Sequence, residues 1–143
     1  MRVLKPAAIL KPAVVAFALT AAPALAQETN CDNPQTQTDM NYCASVDYQR
    51  ADHELNDVWS EAIAMAKESD LLDLPDDGRP GFEETLRKAQ RAWIPFRDAS
   101  CEYEGFAARG GSMEPMLVSL CLARMTSTRS SELRQLIQEM GTQ

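Results

Sequence analysis

The chain has 143 residues, with 14 basic and 21 acidic side chains and a formal net charge of −7. That length suits one domain with a real core. The acidic balance repels nucleic acid and anionic lipid and favours basic partners.

The first segment reads as an export signal. Arg2, Lys5 and Lys11 make a positive region, and the chain is then uncharged and mostly apolar from Pro12 to Ala22. Ala24-Leu25-Ala26 supplies the small-x-small pattern of a cleavage site before Gln27. The apolar run falls short of the roughly 20 residues that span a bilayer, so no stable membrane anchor is expected after cleavage. Residues 1–26 are therefore expected to be a signal peptide and 27–143 the working domain, periplasmic or secreted. Losing three basic residues makes that domain more acidic still.

The arm from Gln27 to Gln35 is polar, with Asn33-Pro34 as a turn signal. A helical pattern follows. Met40, Cys43/Ala44, Tyr48, Ala51, Leu55, Val58/Trp59, Ala62 and Met65/Ala66 step by three and four residues. Thr36 or Thr38 suits the N-cap and Asp39 the first turn. Without glycine or proline from Gln35 to Leu74, the pattern predicts one helix of about 30 residues. "SDLLDLPDDGRPG" ends it as a loop, with Leu71, Leu72 and Leu74 expected to fold back over the end of the core.

A second helix is predicted from Phe82 to Tyr103, with Phe82, Leu86, Ala89, Trp93, Phe96 and Ala99 as its buried stripe. Pro95 lies inside it and should kink it, because proline lacks the N–H and clashes with the carbonyl of Arg91. Gly105 to Gly111 makes the next turn. Ser112 suits the cap of a third helix with Pro115 in its first turn. That helix should bury Met116, Leu117, Leu120, Cys121, Met125, Leu133, Leu136, Ile137 and Met140. Its middle, "TSTRSSE", holds weak helix formers and is expected to bend or fray. Three amphipathic helices and no convincing strand predict an all-α fold, an antiparallel three-helix bundle.

An even count of four cysteines behind a signal peptide implies disulfides. Of the three possible pairings, Cys31–Cys43 with Cys101–Cys121 is favoured, because each pair flanks a turn-forming stretch. Such loops are each worth about 3 kcal/mol in the chain-entropy model.

Enzyme chemistry finds little support. The single histidine, His53, falls on the polar side of its helix and reads as a surface residue. Oxidised cysteines offer no thiol nucleophile, and the carboxylates are scattered. "RGGS" lacks the lysine of a phosphate-binding loop. No CxxC pair points to a metal, and no cofactor is expected.

Five fragments, in order and at similar spacing, carry a resemblance: "TQTDMNYCA" (36–44), "YQRADHELNDVW" (48–59), "AQRAWIPFRDASCE" (89–102), "GGS" (110–112) and "CLARMTSTRSSEL" (121–133). Together they resemble the lysozyme inhibitor LprI-like family of small secreted bacterial proteins. Pro95 departs from the family pattern. The resemblance implies a helical, exported domain with paired cysteines that inhibits lysozyme by binding. The alternative is a non-catalytic binding or scaffold module of the cell envelope.

Among the matched positions, Asp52, Asn56, Arg97, Asp98 and Arg129 flank the apolar stripes. They are expected to form a polar network joining the helices, with Trp93 and Phe96 packed inward and Arg97 clipping helix to helix. The stretch 104–113, "EGFAARGGSM", is a disulfide-braced loop. Phe106, Arg109 and Ser112 are its expected contacts with a target, Arg109 reaching a carboxylate of the enzyme cleft.

Overall fold

The structure, a computed structural model, describes residues 29–72 and 77–141; the expected signal peptide and Leu74 lie outside them. Three helices account for nearly all of it: α1 (Gln37–Leu72), α2 (Phe82–Gly105) and α3 (Glu114–Gly141), with a 3₁₀ turn at Phe106–Ala108 between the last two.

Helix α1 starts at a reciprocal cap. The Asp39 N–H donates to Thr36 Oγ1 and the Thr36 N–H donates to Asp39 Oδ2, both at 3.1 Å, which satisfies two otherwise orphaned donors. The helix then runs unbroken to Leu72. For that reason Leu71 and Leu72 do not fold back. They project past the bundle at 86% and 78% exposure, contrary to the expectation from sequence.

The bundle runs up, down, up. Lys67 meets Glu83 and Asp52 meets Arg97, so α2 descends along α1. Asn41 reaches the Ser112 carbonyl and Glu54 pairs with Arg134, so α3 ascends parallel to α1. The α1–α3 pairing is the most extensive. The core is Leu55, Val58, Ala62 and Leu133, with Trp59, Leu86, Trp93 and Ile137 packed around it.

Both expected disulfides are present, Cys31–Cys43 and Cys101–Cys121, each with Cα atoms 5.4 Å apart. The first pins the N-terminal arm to α1. The second joins the last turns of α2 to the first turns of α3.

Three sequence expectations fail in α3: the fraying of its middle, the burial of Leu120 and Leu136, and the Ser112 cap. "TSTRSSE" does not fray: the helix is continuous, and Thr126 and Ser130 are fully buried. The hydroxyls of Thr128, Ser130 and Ser131 donate to carbonyls one turn earlier, at 3.0, 3.2 and 3.1 Å. These back-bonds share the helix's own carbonyl acceptors, and burial overrides the weak propensity. Thr126 and Ser130 are buried in their place, while Leu120 and Leu136 point outward at 44% and 42% exposure. Ser112 also does not start the helix. It lies in the preceding turn, and α3 begins at Glu114, whose Oε2 accepts from the Gly110 N–H at 2.6 Å.

The buried face of α2 differs most from expectation. Its inward positions are Leu86, Gln90, Trp93, Arg97 and Cys101, not Phe82, Ala89, Phe96 and Ala99. Counted at 100° per residue, the helix is turned by about one residue. Binary patterning excludes glutamine and arginine from a core face. Here both have partners on α3, so both are tolerated inside. Helix α2 continues through Pro95, which sits on the exposed side of the helix.

Candidate functional site

The polar side chains read from the sequence gather at the junction of the three helices. Arg97, 7% exposed, is the hub. Its Nε donates to Asp98 Oδ1 at 2.9 Å and its Nη1 to the buried Thr126 hydroxyl at 3.2 Å. Asp52 of α1 stands 3.7 Å from the same Nη1, and Asn56 Nδ2 donates to Asp52 at 3.3 Å. The guanidinium also lies over two rings, 5.1 Å from the Trp93 centroid and 5.5 Å from that of Tyr48.

Arg129 joins this cluster through the ring rather than through a hydrogen bond to its other members. Its guanidinium lies 5.9 Å from the Trp93 centroid, donates to Gln90 at 3.0 Å and pairs with Glu132 at 3.0 Å. Two cations therefore share one indole, each desolvated enough for the contact to count. Burial pushes the Tyr48 phenol above its ordinary pKa, against the opposing pull of Arg97, with Asp52 and Asp98 adding to the rise.

Sequence reasoning missed Tyr48, Gln90 and Thr126 as partners. The usable signal was spacing: Gln90, Trp93 and Arg97 share a helix face with Cys101. The Asn56, Arg97 and Arg129 donors all point at other protein groups, so the cluster holds the helices together. His53, the sole histidine, is exposed and pairs with Asp57 at 3.2 Å.

The 104–113 stretch is compact. Tyr103 and Phe106 meet edge to face with centroids 6.2 Å apart, and the Arg109 guanidinium stacks on Phe106 at 4.4 Å. Arg109 and Phe106 thus form one exposed unit. Ser112 lies on the far side of the turn, where its carbonyl accepts from Asn41 of α1 at 3.0 Å. Gly110, with φ of +76°, makes the reversal between them.

Phe96, expected in the core, is 62% exposed. It heads an outward stripe of α2 with Ala92, Ala99 and Tyr103, the last 77% exposed. At the other end of the bundle an open groove runs between the start of α2 and α3, over Phe82, Leu86 and Leu136, with Arg79 and Lys88 at its mouth. Among the described residues no group of acidic, histidine or cysteine side chains could hold a metal ion, and no helix is long and apolar enough to cross a membrane.

A small all-α domain stapled by two disulfides, with its conspicuous features on an outer face and a turn, is the form of a protein built for an oxidising compartment. The family model of the lysozyme inhibitor LprI matches residues 29–133, and the chain belongs to that family. It is 47% identical over 131 residues to the uncharacterized protein R02472 of Rhizobium meliloti (strain 1021), a match covering 89% of this chain and 94% of that protein. No solved structure matches the chain significantly.

Proposed function

We infer that the protein is a periplasmic or secreted inhibitor of lysozyme that acts by binding, without catalysis. The family match carries the reading. Charge supports it: a net −7 chain gains association rate toward a basic enzyme through electrostatic steering. So does preorganisation, because the turn after α2 is braced by Cys101–Cys121 and loses little entropy on docking. In this reading the Phe106–Arg109 unit enters the enzyme cleft, where Arg109 meets a carboxylate, and Ser112 contacts the rim.

The experiment is a lytic assay of c-type and bacterial muramidases with the oxidised protein recovered after export. Inhibition at stoichiometric concentration that weakens as salt rises supports the reading. Undiminished lysis by every enzyme contradicts it. Full inhibition by Arg109→Ala and Ser112→Ala variants removes the turn from the contact.

A further inference from the structure

We propose that the outer face of α2, formed by Ala92, Phe96, Ala99 and Tyr103 and continued by Phe106, is the principal docking surface for lysozyme. The assignment rests on the inhibitor reading above and goes beyond it by extending the contact from the turn along a helix face.

The four α2 residues recur at steps of four, three and four, which places them on one side of the helix. All are exposed, with Phe96 at 62% and Tyr103 at 77%. A folded domain seldom leaves two aromatic rings and the alanines between them on one open stripe without a use. Phe106 touches Tyr103 and extends the stripe into the turn.

The display is rigid. Arg97 ties the middle of this segment to Thr126, and Cys101 ties its end to Cys121. Phe96 and Tyr103 bracket those two anchors. Aromatic side chains held on a fixed helix suit the centre of an interface, since little freedom is lost on binding.

Charge selects the occupant. Of the carboxylates on this stretch of α2, Asp98 pairs with Arg97 and Glu104 with Arg124 of α3, both at short range, so the sign is set by Glu102 beside the stripe and by the net charge of −7. A second copy of this chain would bring a like net charge of −7 and a second Glu102 against the same stripe. A basic enzyme brings the opposite charge to the rim and leaves the aromatics to fill its centre. The neighbouring Arg109, stacked on Phe106, remains placed to meet the cleft carboxylate.

The test uses the full chain, exported and recovered oxidised, with a basic c-type lysozyme as the probe. Native protein is compared with Phe96→Ala/Tyr103→Ala and with Ala99→Arg, both confined to exposed positions. Circular dichroism and thermal melting establish that each variant is folded. The expected result is native inhibition and a loss of about tenfold or more in apparent affinity for both variants, the scale of aromatic anchors. Native inhibition that both folded variants retain overturns the surface assignment and leaves the inhibitor reading intact. Native protein that neither binds nor inhibits overturns both. Light scattering that shows a native dimer and monomeric variants also overturns the assignment, because the stripe is then a contact between copies.

Discussion

Asp70 caps a helix to which it does not belong, and Gly81 leaves it the room. The two carboxylate oxygens of Asp70, on α1, accept from the N–H groups of Phe82 at 2.6 Å and Glu83 at 3.0 Å, the first donors of α2. Gly81 has no side chain to serve that role, and a Cβ there would stand 2.7 Å from Asp70 Oδ1. The pair closes the end of the bundle that carries no disulfide. Asp70→Ala is expected to cost about 1 kcal/mol, the usual worth of an N-cap. Gly81→Ala should cost a similar amount by displacing the carboxylate. The double variant should cost clearly less than the sum, because each change breaks the same contact. Urea unfolding of the four proteins measures this.

Gly105 serves packing at the opposite end. It is buried in the last turn of α2, and a Cβ there would collide with Val118 Cγ2 of α3. Gly105→Ala is expected to destabilise by about 1–3 kcal/mol despite the better helix propensity of alanine. Val118→Ala in the same chain should recover much of that loss. Thermal melts of the single and double variants check both statements.

Arg97 is expected to be irreplaceable by lysine. Its planar fork serves Asp98, Thr126 and two rings together, which an ammonium cannot reproduce. Arg97→Lys should lose about 1–3 kcal/mol through the unpaired Thr126 hydroxyl and the lost ring contacts. Asp98→Asn, at a half-exposed position, should lose less. Denaturant midpoints at equal slope rank the two.

Tyr48 gives the protein an alkaline weakness. Its folded pKa lies above its ordinary value because burial disfavours the phenolate. The unfolded chain therefore loses this proton first as pH rises. The stabilisation is complete below the unfolded value near 10 and is lost as pH passes up through the folded value. In a spectrophotometric titration Tyr48 should ionise after a tyrosine in an unfolded control. Tyr48→Phe should flatten the alkaline fall in stability.

Much of the architecture was legible in the sequence. The period of apolar residues in α1, the breaks at Pro75–Gly81 and Gly105–Gly111, and the cysteines beside turn-forming stretches lead to three helices and the two disulfides observed. The orientation of α2 was not legible. Ala89, Phe96 and Ala99 form as good a stripe as Leu86, Trp93 and Cys101, and only the partners of Gln90 and Arg97 on α3 decide between them. Those partners, Thr126 and Arg129, lie in a stretch that local propensity marks as a weak helix. The cap from Asp70 was hidden for a related reason: it joins residues 12 apart across a loop, beyond any local pattern. The charged members of the cluster could be named from the sequence, whereas their geometry depends on contacts between helices.

Lysozyme binding by this acidic bundle is read by calorimetric titration of a c-type lysozyme with the oxidised protein at low and physiological salt. Saturable one-to-one binding that weakens as salt rises is expected. A flat titration at both salt concentrations would contradict it.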